Sequence, residues 1–498
     1  MQSCRHAVVT AGLFALAVPG WLVADVPTPA AADNLEWQLP NERLIQPFES
    51  QVPVKFVTAS SNPAEWEKLP KFWNDSTDTA VNPATGKSTT RKAVVIKVPL
   101  GLTTPPPVPT ENPITVAKWT LGKQLYFDPI LSTNSTVACA SCHDPKLGYT
   151  DQSRFSKGIH GKLGGMSAPT VVNTAYNTHQ FWDGRASSLE DQAQGPVGNN
   201  VEMFGGEGSA WDAAITRVRV KYAGRFEEVF GTPATRDNVV KAIAAYERTV
   251  LSGNSIHDRA DLAAAIRAEK EGKAASVTAA DFETVLKDLF AKKDAAPLQA
   301  LLLSPEKDAG RIAETAKSLA AGRAIFFGKA RCNSCHVGEN FTDNAFHNLG
   351  VGVKNGEFPK GELGRFARMP LGHKDPEYVG AFKTPTLRHL LSTAPFMHDG
   401  SEANLEAVVD FYDRGGNANE FLDVKMRDIP TEQATISGKV DIKGVQYFGK
   451  SKKPIIPLKL GLTPQEKKDL VTYLRSLQGE AFDPIVADPS KLPVAVKK

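Results

Sequence analysis

Apolar residues return at helical spacing through most of this 498-residue chain, while strand-like alternation is scarce. Residues 119–127 and 316–327 each read as a helix. So do 211–230 and 238–251, where Val239, Val240, Ile243, Ala244 and Val250 mark one apolar face. Further on, 405–414 and 464–477 are amphipathic, the second with Leu470, Tyr473, Leu474 and Leu477 on one stripe. Only 93–100 has the composition of a strand. The stretch 421–460 lacks helical period, and 435–447 within it reads as a hairpin. Residues 256–315 are charged and rich in Ala, as solvated helices are, with 258–270 and 281–293 the clearest. The pattern predicts a mainly α protein.

Between these runs the chain is rich in loops. Its 34 prolines and 39 glycines punctuate regular structure more than they extend it. Residues 33–112 are dominated by Pro, Asn and Thr, with Pro105-Pro106-Pro107 as a stiff linker. Residues 144–210 carry Gly158, Gly161, Gly164 and Gly165 in quick succession, as in a loop that moves or folds closely over a bound group. The length implies two or three domains. Lys and Arg (58) nearly balance Asp and Glu (55), a net charge of +3 that argues against a polyanionic partner. No basic stripe interleaved with aromatics marks a nucleic-acid surface.

Four of the five cysteines sit in two pentapeptides, Cys139-Ala140-Ser141-Cys142-His143 and Cys332-Asn333-Ser334-Cys335-His336. Each is the attachment signature of c-type haem. The two thiols add to the porphyrin as thioethers, and the adjacent His lies under the ring as an iron ligand. Zinc is the rival for paired cysteines, but nothing in zinc binding asks for His directly after both pairs. Two covalently bound haem c groups follow. Each motif comes after a predicted helix and a Gly- or Asp-containing turn, as in a duplicated cytochrome c unit.

The N-terminus reads as an export signal over 1–32. Arg5 precedes an apolar run from Ala7 to Val18, Pro19-Gly20 breaks it, and small-residue cleavage sites end at Ala24 or Ala32. An uncleaved anchor is the alternative. Cys4 lies ahead of the apolar run, poorly placed for a lipid anchor. No later stretch is apolar enough to span a bilayer, so the expected location is the periplasm, outside the cytoplasm, where bacterial c-type haem is attached.

Leu121-Gly122-Lys123-Gln124-Leu125-Tyr126-Phe127-Asp128-Pro129, Phe181-Trp182-Asp183-Gly184-Arg185 and Ala394-Pro395-Phe396-Met397-His398-Asp399-Gly400 resemble, in order, segments of the bacterial dihaem cytochrome c peroxidases. The resemblance implies two cytochrome c-type haem domains in tandem, a peroxidatic one at 113–255 and an electron-transfer one at 316–480. It leaves outside the common pattern a loop-rich extension at 33–112, a charged helical insertion at 256–315 and a tail at 481–498. It also implies that the haem of Cys139, Cys142 and His143 meets H₂O₂, while that of Cys332, Cys335 and His336 passes electrons.

Three further residues match the family's site. Glu202 matches the distal acid, able to take a proton from one peroxide oxygen and give it to the other. Gln192 matches a neighbouring polar residue, and Trp182 the tryptophan between the haems. Read alone, they are equally a surface Glu, a surface Gln and a packing Trp. His160 lies in the loop that carries a distal His in conventional members, one residue out of register. Iron ligand, pocket residue and ordinary loop His stand level for it.

Two departures matter. Conventional members ligate the second iron with a Met in the helix after the His-Asp-Gly turn, where this chain has Tyr412. Met397 reads as a packing residue, and Met369 and Met426 have no motif behind them. A thioether favours Fe(II) and raises the potential, whereas a tyrosinate lowers it. A His/Tyr haem resembles the MauG-like branch, in which both haems share the oxidising equivalents of peroxide. The second departure is at the family's Ca²⁺ site: Thr393 and Pro395 keep its Thr-x-Pro stretch, but Ser167 replaces an Asn. A hydroxyl is a poorer Ca²⁺ ligand than an amide carbonyl, so a weak or absent site is expected.

The leading expectation is therefore a peroxidase that consumes H₂O₂ and draws electrons from a small cytochrome c or cupredoxin. The alternatives are MauG-like oxidation of a side chain on a partner protein, and a non-catalytic dihaem electron carrier, for which Glu202 and Gln192 have no use. A haem dioxygenase ranks behind these. Dimers are common in the family, which makes a homodimer an open expectation.

Overall fold

The computed structural model describes residues 51–354, 357–359, 362–428, 438–442, 445–449 and 455–493. The expected export signal at 1–32 lies outside them. The protein is mainly helical and holds two large hydrophobic cores, each built on a crossed helix pair.

In the first core, Val116–Phe127 crosses Arg236–Glu247. Thr115 and Thr235 cap them, their side chains accepting from the amides of Lys118 and Asn238. The crossing is tight at Gly122, where a Cβ would overlap the Ala242 carbonyl. Trp119, Leu121, Leu125 and Tyr126 interdigitate there with Val239, Val240, Ile243 and Tyr246. The second core repeats the device. Ile312–Phe327 crosses Pro464–Arg475, and a Cβ on Gly322 would overlap the Asp469 carbonyl. A Thr463/Glu466 capping box and Pro464 fix the start of the latter helix.

Several expectations need correction. Residues 256–315 form helices Ile256–Glu271, Ala279–Lys292 and Ala295–Ala300, but they are more than a solvated insertion. Phe282, Leu286 and Leu289 are fully buried in the second core, and only the opposite face is charged and exposed. The 33–112 extension is not simply loop: β1 (Val54–Val57), β2 (Trp73–Val81) and β3 (Ser88–Lys97) make a sheet of order β1–β3–β2, with β1 parallel and β2 antiparallel to β3. The polar β2 carries no strand signal of its own, and pairing along nine residues of β3 supplies its stability. The expected helix at 211–230 divides into Ala210–Lys221 and Arg225–Phe230, because Gly224 turns to φ +77°. Helix Leu189–Val197 interrupts the turn-rich 144–210 stretch.

The hairpin expected at 435–447 is present as Gly438–Ile442 paired with Val445–Gly449. The tail returns to the first core, where helix Pro484–Ala487 buries Val486. Lys123 Nζ pins it by donating to the main-chain oxygens of Ile485, Asp488 and Lys491, each at 2.6 Å. No helix among the described residues is long and apolar enough to cross a membrane.

Candidate functional site

Both Cys-x-x-Cys-His motifs open onto one cavity of about 680 Å³. The first runs through the short helix Cys139–Cys142 that follows the first core helix. The Tyr126 hydroxyl donates to His143 O at 2.7 Å, and His143 Nδ1 lies 3.3 Å from Tyr149 O. The second motif starts from Arg331 at φ +53°, and His336 Nδ1 lies 2.9 Å from Phe341 O. Pairing with a carbonyl requires each Nδ1 to carry the proton, which leaves each Nε2 lone pair free for a metal. Burial lowers the pKa of both imidazoles and so favours their neutral, ligating form.

No disulfide joins any of the four motif cysteines. Burial pushes Cys142 up to about 11, Cys332 to about 12 and Cys139 well beyond its usual range. Among the described residues, one group of three His, Cys, Asp or Glu ligand atoms converges, Cys335 with Asp343 and His347, and it does not unite either cysteine pair. Paired cysteines, an imidazole with an available Nε2 and a large shared cavity fit covalent haem, and no described ligand group gathers a cysteine pair as tetrahedral zinc requires.

The structure brings Trp182, Gln192 and Glu202 to the cavity wall. Glu202 Oε1 accepts from Asn199 Nδ2 at 2.7 Å, and the Glu202 carbonyl accepts from Ile159 N at 2.8 Å. A Cβ on Gly158 would overlap Val201 O, so the Gly-rich loop packs closely on the Glu202 backbone. Burial raises the Glu202 pKa, opposed by the Arg185 charge. Gln192 projects from helix Leu189–Val197, and its amide makes no hydrogen bond among the described residues. Trp182 Nε1 donates to Ser167 O at 2.9 Å, while Trp182 O accepts from Lys383 N at 2.8 Å, joining segments more than two hundred residues apart.

Tyr412, on helix Leu405–Asp413, lines the same cavity. Its hydroxyl takes no hydrogen bond among the described residues, and burial beside Cys335 and Cys332 drives its pKa well above the phenol range. Met397 and Met426 also reach the cavity, whereas Met369 does not. His160 is exposed, sits at φ +55° with its ring against Gly205, and does not line the cavity. The iron-ligand reading of His160 thus finds no support in this arrangement. At the calcium position the Ser167 hydroxyl donates to the carbonyls of Met397 and His398 at 3.1 and 3.3 Å, and Thr393 Oγ1 donates to Leu390 O.

Several cavity residues escape sequence reasoning. Lys383 is almost wholly buried, and burial lowers its pKa to about 8. Burial also works against the charge on His347, yet hydrogen bonds to Asp343 (2.9 Å) and Asp423 (2.7 Å) prevail and raise it to about 11. Glu247 lies at the end of a core helix, with Oε2 lacking a partner among the described residues. Motif spacing marks none of these, because folding alone brings them to the cavity.

Residues 116–264 match the family model described as di-haem cytochrome c peroxidase. The cytochrome-c peroxidase IdrP1 of Denitromonas iodatirespirans is 32% identical over 421 residues, covering 79% of this chain and 90% of its own. The methylamine utilization protein MauG of Methylorubrum extorquens is 31% identical over 378 residues, covering 75% and 82%. A solved MauG-like protein associated with microbial copper homeostasis superposes with a TM-score of 0.53 at 26% identity, over 78% of this chain and 95% of that one. Such membership implies two haem c groups and an oxidoreductase of cytochrome c peroxidase type, with H₂O₂ as acceptor. By sequence, fold and paired motifs, the chain belongs to the di-haem cytochrome c peroxidase family.

Proposed function

We propose that this is a periplasmic peroxidase that reduces H₂O₂ at the His143 side of the cavity and shares the oxidising equivalents with the His336 side. One observation carries the reading: a half-buried carboxylate, Glu202, is anchored on the cavity that His143 lines. A pure electron carrier has no use for it.

Haem iron bound by His143 would supply the electrons that cleave the O–O bond, and the protein does the rest. Asn199 occupies Glu202 Oε1, leaving Oε2 to accept a proton from the nearer peroxide oxygen and return it to the departing one. Gln192 offers an unengaged amide to orient peroxide. The Arg185 charge favours the carboxylate form that the first transfer needs. Trp182 contributes an oxidisable ring in the same cavity, held by Ser167. Tyr412 would help His336 hold the second haem iron, which its unbonded hydroxyl on the same cavity supports. Two electrons from an external donor and two protons complete the conversion of H₂O₂ to two waters. The donor would be a small cytochrome or cupredoxin, or in a MauG-like role a side chain of a partner protein.

The test is an optical and EPR titration of the fully oxidised holoprotein with H₂O₂, without reductant. Rapid loss of the ferric signals with a near-infrared charge-resonance band supports the peroxidase reading with Tyr412 as ligand. A response only after one haem is reduced removes Tyr412 from its role. Silence in both states leaves an electron carrier.

A further inference from the structure

Beside the first haem motif, oxidisable rings touch in series and lead away from it. The Tyr126 hydroxyl is bonded to His143 O. Its ring centroid lies 5.0 Å from that of Tyr246, Tyr246 lies 5.8 Å from Trp119, and Trp119 lies 4.7 Å from Trp73 on β2. Tyr126, Tyr246 and Trp119 are fully buried and Trp73 nearly so, ending the series under the N-terminal sheet.

We propose that Trp119 and Trp73, reached from the first haem through Tyr126 and Tyr246, form a one-electron relay that carries oxidising equivalents out to the N-terminal sheet. The inference rests on the reading of His143 as a haem ligand and on peroxide as the source of those equivalents.

Packing alone does not require Trp119 or Tyr126. Superimposing Gly122 on Gly322, the two crossing points, pairs Trp119 with Leu319 and Tyr126 with Phe326, both fully buried. The second core thus makes the same crossing without an oxidisable residue at either place. In the first core the phenols of Tyr126 and Tyr246 donate to the carbonyls of His143 and Val486, at 2.7 and 2.9 Å. A carbonyl cannot take up a phenolic proton, so these two rings serve as a tunnelling bridge and not as stations. An indole can lose an electron while keeping its N–H, and Trp119 Nε1–H stays bonded to Thr249 Oγ1 at 2.7 Å.

The balance is simple. One electron leaves Trp119 for the oxidised haem, one from Trp73 restores Trp119, and an external reductant restores Trp73. That reductant is a donor protein or an oxidisable protein side chain, and no proton moves. Lys123 Nζ lies 5.5 Å from the Trp119 ring. In a buried site this charge makes oxidation of Trp119 harder, so only a peroxide-level oxidant uses the relay and a resting ferric haem does not drain through it.

The test attaches a ruthenium polypyridyl photo-oxidant to Asp75→Cys, an exposed position two residues from Trp73, in the full-length holoprotein with reduced haems. Flash-quench then measures haem oxidation by the Soret change. In Trp119→Phe the rate is expected to fall about tenfold or more, equivalent to removing about 1.4 kcal/mol of assistance. In Trp211→Phe, which removes a core tryptophan outside the series, it is expected to stay unchanged. Haem spectra of both variants report that the fold is intact. An unchanged rate in Trp119→Phe, or equal slowing in both variants, overturns the relay. The measurement uses no peroxide, so its failure is distinct from failure of the peroxidase reading, which H₂O₂ titration addresses.

Discussion

Glu202 decides the proposed chemistry, and its environment predicts how. Burial lifts its pKa above the ordinary carboxylate range, although the Arg185 charge opposes the shift. The carboxylate must be ionised to accept the peroxide proton. Activity should therefore fall as pH drops through this raised pKa, with an acid limb higher than a solvated Glu would give. Glu202→Gln is expected to lower kcat/KM about 10²–10⁴-fold and to abolish that limb, measured by steady-state peroxide turnover against pH. A limb that survives the substitution would assign it to another group. At this scale the sequence was informative where a residue sits at a fixed offset in a motif, as Cys139, His143, Cys332 and His336 do. It left three readings of His160 level, because which way one loop residue faces depends on the φ of a single left-handed position.

Among the elements, the two Gly-centred crossings matter most, since one helix of each pair precedes a haem motif in the chain. Gly322 lies against the Asp469 backbone, with Tyr473 Cβ also close by. Gly322→Ala must push the Ile312–Phe327 and Pro464–Arg475 helices apart, an overpacking cost of about 1–3 kcal/mol. A lower Tm by calorimetry is the expected result. The haem spectrum should change more at the His336 side, which that helix positions. An unaltered Tm would mean that the crossing is loose. Helices of this kind were legible from their 3.6-residue period. Strand β2 was not, because it owes its conformation to β3 and to Trp73 packing on Trp119.

Across the whole molecule, the cavity forces buried charge into the interior, and Glu247 is the clearest cost. Burial raises its pKa to about 8, with Oε2 lacking a partner among the described residues. For an acid whose folded pKa lies above its unfolded value of about 4.3, the proton is bound more tightly by the folded state. The associated stability is fully present below the unfolded pKa and is lost as pH rises through the folded one. Glu247→Gln mimics the protonated form. The variant should match the wild type near the acid end of this window and exceed it increasingly toward pH about 8, by an order of a few kcal/mol. Parallel Tm measurements across that window check the sign, and a constant difference would refute it.

The sequence by itself determined the covalent chemistry, since Cys-x-x-Cys-His encodes haem attachment over five adjacent residues. It also determined the helices whose apolar faces repeat every turn, and through several ordered motifs the family. Only tertiary structure decided which further distant side chains share a cavity: Lys383 with Trp182, Glu247 with the first motif, and His347 with the second. It also decided that the charged 256–315 segment builds core and that the tail returns to Lys123. The reason is physical. Local patterns record contacts within one turn or one strand pair, whereas burial and desolvation depend on partners whose separation in sequence carries no periodic signal.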